Sequence, residues 1–152
     1  MKRTAVFPGS FDPFTIGHES IALRALPLFD ELIIAVGINS HKSNMFSVEK
    51  RVNWIKKVFA KEKRIKVDSF TGLTVDFCKK NKANFILRGL RTSADFEFEK
   101  AIGQMNTVIS KDIETVFILP LPEHSAINST IIRDIIRNNG NASPFIPKAI
   151  KI

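Results

Sequence analysis

Short apolar runs of strand length alternate five times with longer amphipathic segments along this chain. The run over residues 32–36 is apolar throughout, which is typical of a strand buried on both faces of a sheet. The predicted strands are residues 4–7, 32–36, 65–70, 85–87 and 115–119. Strands that alternate with helices predict a parallel sheet covered by helices on both faces, which is a doubly wound α/β fold.

The intervening segments predict five helices. They are residues 17–30, 47–59, 73–81, a stretch from Ser93 to about Ile109, and a last stretch capped by Ser129 or Thr130 and ended by Gly140. The apolar positions of the first helix include Ile21, Leu23, Leu26 and Leu28, and the inner face expected of the last helix is Ile131, Ile132, Ile135 and Ile136. Pro8 and Gly9 are expected to end the first strand. A length of 152 residues suits one domain, residues 1–152.

Composition excludes several classes of protein. Cys78 is the only cysteine, so an intrachain disulfide and a cysteine-rich zinc site are excluded, and Cys78 is expected to be a small core residue. The apolar stretch behind Lys2 and Arg3 breaks at Pro8, which is not typical of a signal peptide. No apolar run approaches the roughly 18 residues that span a bilayer. We therefore expect a cytoplasmic protein without a membrane partner.

The formal net charge of +8 attracts anions without indicating which anions bind. A nucleic-acid-binding module is one alternative, and it would cluster lysine and arginine with stacking aromatic residues on one surface. The basic residues of this sequence are expected to be spread along the chain instead. This pattern favours small phosphorylated ligands over nucleic acid as partners.

Parallel sheets of this kind bind ligands at the carboxyl ends of their strands. The G-x-G-x-x-G and G-x-x-x-x-G-K-[ST] phosphate-binding motifs are both absent. The first candidate site is the turn after the first strand, where Gly9 lets the backbone approach a ligand and Ser10 offers a hydroxyl. Gly17 leaves the helix start uncluttered, and His18 falls in the first helical turn, where free N–H groups favour a phosphate. The alternative is an ordinary turn with a surface histidine.

Three further candidates follow other strands. Arg88 and Arg91 bracket a glycine after the fourth strand, where two guanidiniums could hold phosphates bidentately. Residues 127–130 combine hydroxyl groups with free helix N–H groups, which suits an anion but equally suits an ordinary N-cap. Lys42 follows the second strand, although a single lysine is more often a solvated surface residue.

Together these pieces resemble the nucleotidyltransferase superfamily with the T/H-x-G-H signature, which stands here as Thr15-Ile16-Gly17-His18. Within it, the chain is similar to the bacterial phosphopantetheine adenylyltransferases over nearly its whole length. The segments that carry this resemblance are residues 8–13, Lys42 with Met45-Phe46, residues 88–91, residues 95–99, Met105-Asn106 and residues 127–130. The resemblance implies a Rossmann-like nucleotidyltransferase fold. It also implies transfer of AMP from ATP to 4′-phosphopantetheine, giving dephospho-coenzyme A and pyrophosphate, with Mg²⁺ bound to ATP.

The resemblance further implies a role for each matching residue. His18, Lys42 and Arg91 would be catalytic, and His18 would stabilise the transition state at the α-phosphate. The acceptor would contact Ser10, Lys42, Thr74 and Arg88. ATP would contact Ser10, Phe11, His18, Gly89, Leu90, Arg91, Glu99, His124, Ser125, Ala126, Ile127, Asn128, Ser129 and Thr130. No protein ligand to a metal is expected, and the implied partners are a homohexamer and coenzyme A as a feedback ligand.

The implied chemistry agrees with the residue types, because an acceptor phosphate is already an anionic nucleophile and needs no general base. The departures from the family pattern remove no proposed catalytic group. They are Ser10 for a usual threonine, Asn128 for a serine, Asp134 for a glutamate and Phe7 for a tyrosine. Two alternatives stay open: another phosphorylated acceptor, such as nicotinamide mononucleotide or a cytidylyltransferase substrate, and a regulatory domain that keeps the fold without activity.

Overall fold

The computed structural model describes residues 1–152 and contains one five-stranded parallel sheet with helices on both faces. The strands are β1 (Thr4–Gly9), β2 (Glu31–Gly37), β3 (Ile65–Phe70), β4 (Phe85–Gly89) and β5 (Glu114–Ile118). The helices are α1 (Ile16–Ala25), α2 (Val48–Val58), α3 (Thr74–Lys80), α4 (Ser93–Ile109) and α5 (Ser129–Arg137). The predicted α/β class and all ten predicted elements are confirmed.

The strand order is β3-β2-β1-β4-β5, and every neighbouring pair is parallel. The chain therefore builds outward from β1 to β3 and then crosses back to place β4 on the other side of β1. Ligands of doubly wound sheets bind where the strand order reverses in this way. The fold thus directs attention to the carboxyl ends of β1 and β4.

The central strands are buried on both faces, as the continuous apolar run in β2 predicts. Phe7 and Leu32 belong to a large core cluster on one face, whereas Val6 and Ile33 belong to a smaller cluster on the other. Cys78 is fully buried in the smaller cluster, and burial raises the pKa of its thiol to about 12. The expectation that Cys78 is a core residue is confirmed.

The sequence predicts that the first strand ends before Pro8. In the structure the strand continues through Gly9. The register places Pro8 opposite Ala35, and the Pro8 carbonyl accepts a hydrogen bond of 2.6 Å from Arg88 Nη1. A proline lacks the N–H donor of a strand residue but keeps its carbonyl acceptor, and here Arg88 satisfies that acceptor while the pairing with β2 continues to Gly9.

The first helix ends at Ala25, earlier than predicted, because Pro27 cannot continue it. A 3₁₀ turn over Leu26–Leu28 follows instead. Of the apolar positions named from the sequence, Ile21 and Leu26 are buried, whereas Leu23 and Leu28 are exposed. Leu28 lies in the 3₁₀ turn, where α-helical spacing no longer applies, whereas Leu23 lies on the exposed face of α1.

The predicted caps of two helices are each off by one or two residues. The Oγ1 of Thr92, not Ser93, caps α4 by accepting from the Asp95 N–H at 3.1 Å. Asn128 caps α5, rather than Ser129 or Thr130, by accepting from the Ile131 N–H at 2.9 Å. Threonine and asparagine are good N-caps, and each precedes another capping residue type, which made the exact position ambiguous.

The end of α5 also differs from the prediction. Asn139 takes the left-handed conformation, with φ of 56°, in place of the expected Gly140. The N–H groups of Asn139 and Gly140 donate to the carbonyls of Ile136 and Ile135, which is the hydrogen-bond pattern of a Schellman C-cap. Ile132 is buried, but Ile131 is exposed, so its predicted place on the inner face is wrong.

No helix in the structure is both long enough and apolar enough to cross a bilayer.

Candidate active site

Two cavities adjoin at the carboxyl edge of the sheet. The larger cavity has a volume of about 610 Å³ and the smaller one about 300 Å³. The residues that line both cavities are Pro8, Gly9, Ser10, Arg88 and Glu99. They come from the ends of β1 and β4 and from α4, so the seam between the cavities lies where the strand order reverses.

The turn after β1 packs closely on itself. Phe11 has a φ of 49°, which is uncommon for a residue with a side chain, and its ring lies over Gly9. A Cβ atom on Gly9 would come within 2.8 Å of that ring. Glycine is therefore required here for packing, and the turn presents Ser10 to both cavities.

His18 lies in the first turn of α1 and lines the smaller cavity. Its Nδ1 accepts a hydrogen bond of 3.0 Å from the Thr15 N–H, while Thr15 Oγ1 accepts from the His18 N–H at 3.2 Å. This reciprocal capping box fixes the imidazole and assigns its proton to Nε2. His18 Nε2–H is consequently the ring's free donor.

The imidazole of His18 is surrounded by phenylalanine rings and faces two cations. The Phe11 and Phe14 ring centroids lie 5.0 and 5.3 Å from that of His18. Burial, followed by the charges of Arg91 and Arg88, lowers the pKa of His18 to about 3. His18 is therefore neutral at physiological pH, where it can donate a hydrogen bond but carries no charge.

Arg88 is held in a fixed orientation at the seam. Its Nε donates to one carboxylate oxygen of Glu99 at 2.8 Å and its Nη2 to the other, while Nη1 donates to Pro8. Glu99 is buried, so this bidentate pair sits in surroundings where such a contact is strong. A guanidinium has five N–H donors, which leaves Arg88 one on Nη1 and one on Nη2 for a ligand.

The other expected contacts of the smaller cavity come from three segments. Arg91 lies beside Asp95, with Nε 3.4 Å from the carboxylate, and both residues line the cavity. Gly89 lines it as well, and so do Phe11, His124, Ile127, Asn128, Ser129 and Thr130. The His124 Nδ1 is buried without a hydrogen-bond partner, which leaves it available to a bound group.

Three predicted contacts do not line either cavity. Leu90 is buried in the protein, and its N–H donates to the Ile118 carbonyl at 3.1 Å. Ser125 and Ala126 are exposed outside both cavities. The side chains of Leu90, Ser125 and Ala126 therefore do not line the cavity that contains His18.

The larger cavity contains the expected acceptor residues Lys42, Thr74 and Arg88 together with Ser10. Lys42 is exposed on the loop after β2, and Thr74 is the first residue of α3. Lys42 and Arg91 line different cavities, so these two predicted catalytic residues flank the seam from opposite sides. Such an arrangement can hold two anionic groups against each other.

Sequence reasoning missed several residues that line the cavities. The larger cavity is closed by Ile102, Gly103 and Asn106 of α4, and the smaller one by Arg133 of α5. Arg133 Nη1 donates to the Asp12 carbonyl at 2.8 Å. The strand-end rule directs attention to loops, whereas these residues lie within helices. Only the helical spacing between Thr130 and Arg133 could have indicated that both face the same cavity.

The positive charge is not spread evenly, which corrects the expectation from sequence. Residues 50–82 contain eleven of the 23 lysines and arginines but three of the 15 acidic residues, so this segment carries a net charge of +8 and the remainder is balanced. The segment includes α2, β3 and α3, whose last turns are rich in lysine. Those helices end at the amino ends of strands, opposite the cavities. The dipole at the carboxyl end of a helix stabilises the nearby lysine cations.

Comparison with known proteins identifies the class to which this fold and site belong. Residues 6–135 match the family model described as cytidylyltransferase-like, which makes the chain a nucleotidyltransferase. A phosphopantetheine adenylyltransferase from Flavobacterium psychrophilum is 54% identical, covering 99% of both chains. One from Phocaeicola vulgatus is 46% identical, also covering 99% of both. The chain belongs to the phosphopantetheine adenylyltransferase family.

Solved structures share the fold at low sequence identity. A bifunctional NMN adenylyltransferase/ADP ribose pyrophosphatase from Francisella tularensis superposes with a TM-score of 0.75 at 17% identity, over 96% of this chain and 45% of that one. A lipopolysaccharide core biosynthesis protein from Thermoplasma volcanium gives 0.60 at 19% identity, over 80% of this chain and 99% of that one. The expected Rossmann-like nucleotidyltransferase fold is confirmed.

Proposed function

We propose that this protein transfers AMP from ATP to 4′-phosphopantetheine, giving dephospho-coenzyme A and pyrophosphate in coenzyme A biosynthesis. The observation that carries the proposal is the seam, where Ser10 and Arg88 line both cavities at once. ATP would occupy the smaller cavity and the acceptor the larger one. Two substrates held on either side of one arginine are positioned for direct transfer between them.

The residues at the seam fit an in-line displacement at the α-phosphorus. The acceptor phosphate is the nucleophile, so no residue has to remove a proton from it. Arg88, Arg91 and Lys42 would hold the two mutually repelling anions together. The neutral His18 would donate from Nε2 to the α-phosphate oxygen on which charge grows, and its site is fixed before the reaction begins.

The acceptor separates this proposal from its nearest alternative. The fold is shared with a bifunctional NMN adenylyltransferase/ADP ribose pyrophosphatase, so other phosphorylated acceptors are assayed beside 4′-phosphopantetheine. Pyrophosphate release from ATP is expected with 4′-phosphopantetheine and absent without it. Equal release with nicotinamide mononucleotide would assign another acceptor. No release with any acceptor would favour a regulatory domain.

We also propose that Mg²⁺ enters with ATP. The structure contains no group of three or more acidic, histidine or cysteine side chains that could hold a metal ion. Near the seam, Asp95 and Glu99 face Arg91 and Arg88. The ion would thus be held mainly by the triphosphate and water, which is usual for Mg²⁺ at nucleotide sites and supplies charge neutralisation there.

We propose a homohexamer in the cytoplasm, with coenzyme A as a feedback ligand in the larger cavity because it carries the same pantetheine arm. Self-association is supported by a solvent-exposed apolar stripe on α4. The stripe consists of Phe98, Ile102, Met105 and Ile109, which recur at helical spacing. An exposed apolar stripe of this length is typical of a protein–protein contact.

Replacing Met105 by lysine is expected to dissociate the assembly. Met105 is 60% exposed in the single chain, so lysine there would be harmless to a monomer but would bury a charge in a contact. The measurement is molar mass by light scattering after size exclusion. Leu23→Lys is the matched control, since Leu23 is also an exposed apolar residue but lies on α1, outside the stripe. An unchanged mass for Met105→Lys would place the contact elsewhere.

We expect only weak binding to nucleic acid despite the basic segment 50–82. Three of its four aromatic residues, Trp54, Phe59 and Phe77, are buried and Phe70 is partly buried, so no exposed ring is available to stack on bases. The dissociation constant for DNA should be no tighter than about 10⁻⁶ M at physiological salt. A gel-shift titration with single- and double-stranded DNA measures it. Tight, sequence-dependent binding would contradict the proposal.

A further inference from the structure

Two buried charged residues connect the two loops that border the larger cavity. Asp12 lies in the turn after β1, and Arg51 lies in the first half of α2. Their exposed fractions are 3% and 2%. A charge is expensive to bury unless it makes specific contacts, so each of these residues is expected to have a structural or functional purpose.

The carboxylate of Asp12 binds the end of the loop that carries Lys42. Its Oδ2 accepts from the Met45 N–H at 2.8 Å, and its Oδ1 accepts from the Phe46 N–H at 2.9 Å. Hydrogen bonds from backbone N–H groups to a carboxylate are among the stronger ones in proteins. Asp12 thus ties residues 45–46 to the turn that presents Ser10.

The guanidinium of Arg51 makes the complementary contacts. Its Nη1 donates to the Ser10 carbonyl at 2.6 Å, and its Nε donates to the Phe46 carbonyl at 3.0 Å. Burial lowers the pKa of Arg51, and the nearby charges of Asp12 and Glu49 oppose that shift. Arg51 lines neither cavity, so its contacts serve the protein rather than a ligand.

The Lys42 loop has few other connections to the domain. Its start is fixed by the Ile38 N–H, which donates to the Phe70 carbonyl, and the Lys42 N–H bonds within the loop to Asn39. The N–H of His41 likewise bonds to the Asn39 side chain. The contacts of Asp12 and Arg51 are therefore the ties that fix the far end of the loop against the turn of Ser10.

We propose that Asp12 and Arg51 form a clamp that sets the position of Lys42 relative to Ser10 and thereby the affinity for the acceptor phosphate. Both are positioning residues: Arg51 lines neither cavity, and Asp12, which borders the smaller one, uses both carboxylate oxygens to hold Met45 and Phe46. The inference rests on the proposed function, in which Lys42 and Ser10 bind that phosphate. Displacement of a substrate-holding group by about 1 Å can change a rate by roughly 10²-fold.

The test replaces Arg51 by methionine, which keeps an unbranched stem but removes both hydrogen bonds. Calorimetric titration should show the dissociation constant for 4′-phosphopantetheine rising about 10- to 100-fold, with that for ATP changing less than about threefold. Asp12→Asn, which keeps the shape but can accept only one of the two N–H groups, should show the same selectivity more weakly. Arg51→Lys should restore part of the acceptor affinity.

Trp54 provides a readout that does not depend on ligands. It is the only tryptophan, it is buried, and its ring lies 4.8 Å from that of Phe46, which the clamp holds. Loosening of the clamp should therefore increase acrylamide quenching of Trp54 fluorescence in Arg51→Met. A substitution that only lowered global stability would reduce the melting temperature without changing this quenching at 25 °C.

The control is Arg64→Met, which removes an arginine that contacts the Leu26 carbonyl far from both cavities. This variant should bind both ligands as the wild type does. Normal acceptor affinity in folded Arg51→Met, or equal weakening of both ligands, would overturn the clamp. If Arg51→Met does not fold, normal acceptor affinity in Asp12→Asn and Arg51→Lys overturns it. A wild type that does not bind the acceptor would instead refute the proposed function.

Discussion

Replacing His18 by alanine is expected to lower the rate constant of AMP transfer about 10²–10³-fold. Its Nε2–H can donate fully only to the charge that grows on the α-phosphate in the transition state, so ATP affinity should change little. Single-turnover rapid-quench kinetics, together with ATP titration, measure the two effects separately. His18→Gln, which offers an N–H donor near the position of Nε2, is expected to recover part of the rate.

Direct transfer has a second consequence for His18. No AMP adduct should accumulate on the protein when ATP is supplied without acceptor, and intact-mass spectrometry can check this. An adduct on His18 would make the residue a nucleophile and refute direct transfer. A variant with normal turnover and poor ATP affinity would reduce His18 to a binding residue.

The protonation state of His18 is testable by pH. Because its pKa is lowered to about 3, the imidazole should show no titration by NMR between pH 5 and 8. In the unfolded chain it titrates near 6.5, so the unfolded state binds a proton that the folded state does not as pH falls from 6.5 toward 3. His18 therefore weakens folding in that window, and His18→Ala should flatten the loss of stability on acidification. Titration near 6.5 in the folded protein would indicate a charged donor.

The sequence predicts the architecture well because the apolar pattern and the connection lengths leave few topologies. The central strand β2 is recognisable from its uninterrupted apolar run, and its neighbours follow from alternation with helices. Element ends are harder to predict. Pro8 stays within its strand through the pairing of β1 with β2, and Arg88, eighty residues away in sequence, satisfies its carbonyl. That contact is tertiary and has no local signal.

The site shows the same division. The turn with Ser10 and His18 and the Arg88 block are predictable, since both stand at the carboxyl ends of strands. The pairing of Arg88 with Glu99 is not, because it depends on how α4 crosses the end of β4. Asn106 belongs to a segment that supports the family resemblance. Its place in the larger cavity could not be predicted, because it depends on the path of α4 across the sheet.

Arg88→Ala is expected to lower mainly the affinity for the acceptor, and Arg91→Ala mainly the affinity for ATP. Each substitution removes hydrogen bonds between a guanidinium and a ligand phosphate. Such bonds to charged groups are worth about 1.5–3 kcal/mol, or roughly 10- to 150-fold in affinity. Calorimetric titration of each variant with each ligand measures this. Arg88 lines both cavities, so its loss should also weaken ATP to a smaller extent. Unchanged affinity for both ligands in both variants would contradict the assignment.

Arg88→Ala has a further effect that Arg91→Ala lacks, because it leaves the buried carboxylate of Glu99 unpaired between two anionic substrates. Breaking a buried pair by removing one partner can destabilise a protein by about 3–5 kcal/mol, and the partial exposure of Arg88 places this one at the lower end. Glu99→Gln in the Arg88→Ala background removes the orphaned charge and should recover thermal stability and part of the affinity. Independent, additive effects of the two substitutions would show that Glu99 does not act through Arg88.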